Sequence, residues 1–158
     1  MKKLIALVIV LALAAIPCAA FAETIKIGVF EPASGDNGAG GRQEVLGIQY
    51  ANSQVPTVDI GGTTYDVELV IVDNQSSTDK AVSAATELVG AGVSIVLGSY
   101  GSGVSMAGGD VFAASGIPAI GCSCTNPQVT EGNEYYFRVC FLDPFQGTVM
   151  ASYALDEG

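Results

Sequence analysis

The chain has 158 residues, carries a net charge of −10, and contains neither histidine nor tryptophan. That length suits one domain and hardly two. The acidic balance disfavours phosphate backbones and anionic lipid as partners, so no nucleic acid is expected. Missing histidine removes the commonest general base and the commonest metal ligand together.

Met1-Lys2-Lys3 is a short basic start, Leu4 to Ile16 is an unbroken apolar run, and Ala20-Phe21-Ala22 is an A-x-A cleavage signal. This is the layout of a secretory signal peptide over residues 1–22. The apolar run is shorter than the ~20 residues a bilayer needs. Pro17 precedes Cys18, and a better cleavage site follows it, which argues against a lipid anchor there. Export to the periplasm or the extracellular space is expected. The mature chain, residues 23–158, would keep four basic side chains (Lys26, Arg42, Lys80, Arg138) against sixteen acidic ones. With no further apolar stretch long enough to span a membrane, a soluble monomer is expected.

Thr24 to Phe30 alternates and then turns apolar, as a strand that becomes buried does. Glu31 to Gly41 has a loop's composition, lacking the Gly-Lys-Ser/Thr ending of a phosphate loop. Val45, Leu46, Ile48 and Ala51 predict a helix from Arg42 to Ser53, with Pro56 beyond it. Gly61-Gly62 sits between β-prone flanks as a hairpin turn leading into the strand Val67 to Asp73. Ser77-Thr78 can cap a helix that stops at Gly90 and Gly92. Val93 to Leu97 is a third main strand, and a helix rich in small residues runs from Ser102 to Ser115. Ile117 to Ile120 is the fourth strand and Tyr135 to Phe141 the fifth. Asp143-Pro144 should start a last helix, with the carboxylate as cap. Strands alternating with helices predict α/β architecture with a doubly wound parallel sheet.

Two strand ends carry clusters of small and hydroxyl residues: Gly98-Ser99-Tyr100-Gly101-Ser102-Gly103 and Gly121-Cys122-Ser123-Cys124-Thr125. In a parallel sheet both reach the same edge, the crevice where such sheets hold ligands. Ser102 stands at a helix start, where free N–H groups and a hydroxyl suit a carboxylate. Ser123 and Thr125 offer acceptors for an ammonium. An α-amino acid would fit between them, although turn and cap duties alone also account for these residues.

Enzymatic readings are weaker. Gly103-Val104-Ser105-Met106-Ala107 differs by one residue from a nucleophile elbow, but no histidine is present to activate Ser105. Glu31 and Asp36 could be imagined as paired carboxylates, with nothing to set their separation. Cys122-x-Cys124 alone supplies too few donors for zinc. No catalysis, no metal and no cofactor is expected. Because the fourth and fifth strands should be neighbours, Cys140 is expected to bridge Cys122. Cys124 is the other candidate partner, and free cysteines packed as small hydrophobes stay open.

Taken together, Ile25-Lys26-Ile27-Gly28, Pro32-Ala33-Ser34-Gly35, Leu97-Gly98, Ile117-Pro118-Ala119-Ile120, Thr125-Asn126-Pro127 with Thr130, Phe137-Arg138, Asp143 and Gln146-Gly147 form an ordered series. Over Ile25 to Gly158 the chain resembles the amino-terminal lobe of the Leu/Ile/Val-binding proteins of ABC transporters, with the type I periplasmic-binding-protein fold. The resemblance implies a strand order of 2-1-3-4-5 among the main strands. It implies a second lobe beyond this sequence, closing on the ligand like a hinged trap, and an inner-membrane ABC permease as partner. Ser102, Ser123 and Thr125 would hold the amino acid's polar groups, with Tyr100, Gly101 and Cys124 on the same wall. Where some members place a ligand-stacking aromatic in the first loop, this chain has Gly40. A ligand-sensing receptor ectodomain could use the same fold.

Overall fold

The computed structural model describes residues 23–158, so the signal peptide expected over residues 1–22 lies outside the described residues. The elements run β1 (Glu23–Glu31), α1 (Gly38–Gln54), β2 (Thr57–Ile60), β3 (Thr63–Asp73), α2 (Thr78–Gly90), β4 (Ile95–Leu97), α3 (Ser102–Ala114), β5 (Ala119–Gly121), a 3-10 turn (Pro127–Val129), β6 (Tyr136–Arg138) and α4 (Asp143–Glu157). They form a six-stranded sheet in the order β2-β3-β1-β4-β5-β6. Setting aside β2, which pairs antiparallel with β3 across the Gly61-Gly62 turn, the main strands follow the expected 2-1-3-4-5 order. Every other pairing is parallel. The carboxyl ends of β1, β3, β4 and β5 therefore share one edge.

β1 is buried progressively toward its carboxyl end, from exposed Glu23 to Val29 and Phe30 at 0 % exposure. Successive side chains of a strand point to opposite faces. Phe30 enters the face covered by α2 and α3, meeting Phe112 edge-on with ring centroids 5.3 Å apart. Ala81, Ala84, Ala85 and Leu88 of α2 fill the same core. The small residues of α3 let it approach closely: a Cβ at Gly108 would lie 2.6 Å from Phe30 Cζ, and one at Gly109 2.7 Å from Tyr136 Cδ2. The opposite face carries α1, which leaves an apolar groove of about 460 Å³ between Ile48 and Ala51 of the helix and Ile27, Val67 and Leu69 of the sheet.

Several boundaries move. α1 starts at Gly38, inside the stretch expected as loop. Its first turn needs glycine for closeness, since a Cβ at Gly41 would collide with the Pro32 carbonyl oxygen. β6 ends at Arg138, short of Phe141, and Val139 and Phe141 are exposed. Asp143 does not cap α4. The cap position is Leu142, and the Asp143 N–H donates to the Thr125 carbonyl at 3.0 Å, tethering the helix start to the segment after β5. No residue of α4 is buried. The expected Cys122–Cys140 bridge is not formed, because all three described cysteines are free thiols. Cys122 lies against Glu31 and Glu44, whereas Cys124 turns into the core.

The close seat of α3 yields a paired expectation. Gly108→Ala gains helix propensity worth about 1 kcal/mol but overpacks against Phe30, at a cost of about 1–3 kcal/mol. A Cβ at Gly47 of α1 would meet no atom within 4 Å, so Gly47→Ala keeps the propensity gain alone. Urea midpoints should fall for Gly108→Ala and rise for Gly47→Ala.

Candidate functional site

The shared edge is organised by buried polar side chains. Asn74, just after β3 and 0 % exposed, donates from Nδ2 to the Phe30 carbonyl at 3.2 Å and to Ser99 Oγ at 2.9 Å. It thus ties the ends of β1, β3 and β4 together, and its burial is at odds with the glycosylation triplet that Asn74-Gln75-Ser76 spells. Tyr136 of β6 adds a fourth strand by donating its hydroxyl to the Gly98 carbonyl at 2.6 Å. Burial pushes the Tyr136 phenol well above its ordinary range. Asp73 closes β3 by accepting from Ala33 N (2.8 Å), Ser34 N (3.3 Å), Ser34 Oγ (2.7 Å) and Gln75 N (2.8 Å). Burial tends to raise its carboxyl, but these donors together outweigh that and hold it below the ordinary aspartate range.

On this frame the two clusters meet. The Asn126 N–H donates to Ser102 Oγ at 3.1 Å, joining the start of α3 to the segment after β5. The cap residue of α3 is Gly101, at φ +116°, a conformation suited to glycine, with no side chain to satisfy the first N–H groups. The first helical bond is Ser105 N–H to the Gly101 carbonyl, which leaves the N–H groups of Ser102 to Val104 without helical partners. Ser102, Ser123 and Thr125 are half-buried around this opening. Arg138 holds the loop behind it, donating to the carbonyls of Cys124, Asn126 and Pro127 and to Thr130 Oγ1 at 2.7–2.9 Å.

Tyr100 takes the space that a side chain at position 40 would need. A Cβ on Gly40 would lie 2.6 Å from Tyr100 Cε2 and Cζ. The first turn of α1 thus contributes a bare backbone, and the aromatic ring comes from the β4–α3 connection. Cys124, placed by the resemblance on the same wall, has a fully buried side chain and gives its carbonyl to Arg138.

Ser105 is equally remote from solvent. It is 0 % exposed, and its hydroxyl lies within hydrogen-bond reach of the Ser99 and Gly101 carbonyls, at 3.3 and 3.0 Å. Among the described residues its hydroxyl reaches backbone carbonyls, which are not activating bases. The carboxylate that faces Glu31 is Glu44 of α1 rather than Asp36, and Cys122 completes the group, with donor atoms within 4.8 Å of one another. Burial first, and Glu44 second, push the Glu31 carboxyl up to about 9, against the pull of the Tyr100 N–H. Burial and the two carboxyl groups push the Cys122 thiol up to about 12. No signal in the sequence separated Glu44 from a solvated helix position, or Arg138 from an exposed strand residue.

A family model described as periplasmic binding protein matches residues 24–158. Leu/Ile/Val-binding protein homolog 2 of Brucella abortus is 33 % identical over 157 residues, covering 99 % of this chain and 42 % of that protein. The solved leucine binding protein LivK of Thermotoga maritima is 37 % identical with a TM-score of 0.77, covering 83 % of this chain and 37 % of the other. The branched-chain amino acid transporter substrate binding protein LivJ of Streptococcus pneumoniae, solved with isoleucine, is 34 % identical with a TM-score of 0.69, covering 77 % and 35 %. The chain thus spans well under half the length of these relatives.

The Asp73 cluster gives a pH expectation. A carboxyl held low in the folded state contributes stability above its unfolded pKa and loses it as pH falls through the folded value. Asp73→Asn should cost about 1 kcal/mol at neutral pH, the worth of a partly exposed charged acceptor. It should also flatten the acid limb of the stability curve. Denaturant midpoints measured from neutral into acid pH check both, and parallel curves for the two proteins would contradict the assignment.

Proposed function

The chain belongs to the periplasmic binding protein family, and from that premise we propose that it is the amino-terminal lobe of an exported solute-binding protein. Its ligand is a branched-chain or related amino acid, which it delivers to an ABC permease of the inner membrane. The observation that carries this reading is the Asn126–Ser102 hydrogen bond, which seats the open first turn of α3 beside Ser123 and Thr125. A carboxylate fits the N–H groups of that turn and the Ser102 hydroxyl, with Gly101 allowing close approach. An ammonium fits Ser123 and Thr125. Tyr100 walls the side nearest α1.

This edge is an open surface, and a 42 % share of a relative's length is what one jaw of a clamp would occupy. A second lobe, outside this sequence, is proposed to close over the ligand. Closure needs only a ligand with higher affinity for the closed state, and no covalent chemistry. Residues 1–22 are proposed as the export signal that precedes the lobe. Among the described residues no helix is long and apolar enough to cross a membrane.

Calorimetry of the intact protein against amino acids, their amides and small carboxylates tests the reading. Saturable binding of a branched-chain or related amino acid is expected. Ser102→Ala should weaken it about tenfold or more, the loss of one hydrogen bond to a charged group, while the circular dichroism spectrum is retained. Silence across the whole panel would overturn the proposed function, and unchanged affinity in the variant would remove Ser102 from the site.

A further inference from the structure

Glu31 is the buried carboxyl that the proposed function leaves unused. It is 1 % exposed, and one of its oxygens, Oε2, accepts the Tyr100 N–H at 2.6 Å. The other, Oε1, has no partner. Glu44 shows the mirror arrangement: Oε1 receives the Ser123 hydroxyl at 2.5 Å, and the buried Oε2 has no partner. The two carboxyl groups are neighbours, with one oxygen of each within 4.8 Å of the other. One hydrogen between Glu31 Oε1 and Glu44 Oε2 satisfies both orphaned oxygens at once.

The surroundings offer no other counter-charge among the described residues. Lys26 donates to the Ala91 carbonyl, Arg42 to the Ala33 carbonyl, and Arg138 to the loop after β5. Lys80 is exposed on α2. The titratable groups facing the pair are the Cys122 thiol beside both carboxyls and the Tyr136 phenol on the Glu31 side, each neutral at physiological pH. If the shared proton sat instead on Glu44 Oε1, two bare oxygens would confront each other in a desolvated space. Glu44 Oε1 is therefore an acceptor, and Ser123 must be its donor.

A serine hydroxyl has a single proton. We propose that Glu44, steadied by Glu31, is a positioning residue that takes this proton, so that Ser123 presents only lone pairs to the ligand edge and selects a ligand with a hydrogen-bond donor there. Ser102 has the opposite polarity: its oxygen already accepts the Asn126 N–H, so its proton is free to be donated. The edge is thus polarised, with donors on the α3 side and an acceptor on the β5 side. An amino acid has one orientation that satisfies both. The inference deepens the proposed function and rests on it for the ligand's location.

Glu44→Leu keeps the approximate size of the side chain but removes the acceptor, which frees the Ser123 proton to point the wrong way. In the intact protein the variant should bind the best amino acid about tenfold or more weakly, the worth of a hydrogen bond to a charged group. It should bind the matching acid that lacks the α-amino group as the parent does. Ser102→Ala should weaken both ligands. Ser123→Ala should match Glu44→Leu, and the double variant should be no worse than either single one. Equal weakening of both ligands by Glu44→Leu, or additive losses in the double variant, would overturn the proposal.

A ligand-free measurement separates its failure from failure of the function. Infrared difference spectra of the chain should show a protonated carboxyl at neutral pH that is lost as pH rises to about 9 and is absent in Glu31→Gln. Absence of that band in the parent chain would overturn the shared proton whether or not an amino acid binds.

Discussion

The distance of α3 from the sheet decides where everything else at the ligand edge can be. Gly108 and Gly109 bring the helix against Phe30 and Tyr136 with no room for a methyl group, and Phe112 locks the seat by meeting Phe30 edge-on. With the helix pinned through its middle, its first turn is carried to the carboxyl end of β4. There Ser102 can reach Asn126. A side chain at either glycine would tilt the helix away and part the two clusters, although neither glycine is near the site. Packing in the middle of the helix thus sets a hydrogen bond at its end.

How much of this was legible follows from what each feature depends on. Apolar runs mark β1, β3, β4 and α2, the last two closed by glycine, because local burial and chain stops suffice to define them. The hydroxyl and glycine clusters at 98–103 and 121–125 were legible for the same reason: topology sends both to one edge. Glu44 was not. It lies on a helix with exposed Leu46 and Tyr50 nearby, and its buried oxygen depends on Glu31 and Ser123, which arrive from two separate strands. Arg138 was missed likewise, since its four acceptors belong to a loop whose path only the fold defines. The Cys122–Cys140 pairing failed because neighbouring strands guarantee proximity of backbones but not of side chains. Cys122 turns toward the carboxyl pair instead.

The two faces of the sheet are unequally covered. α2 and α3 bury a continuous core on one side. On the other, α1 alone leaves the groove lined by Ile27, Ile48 and Leu69. It is on this thinner side that Glu31 meets Glu44, so the carboxyl pair also fastens α1 to the sheet near its amino end. The polar contact holds what apolar packing there leaves loosely filled.

The exchange between Gly40 and Tyr100 has a consequence for how such a wall can vary. The ring occupies the volume in which a side chain at position 40 would have to stand. An aromatic group can come from the first turn of α1 or from the β4–α3 connection, but not from both at once. Each residue's tolerance to change is conditional on the other: a large residue at 40 is lethal to the wall only while the tyrosine remains. The two positions form an epistatic pair, and across related lobes they should drift by compensated swaps rather than by independent steps.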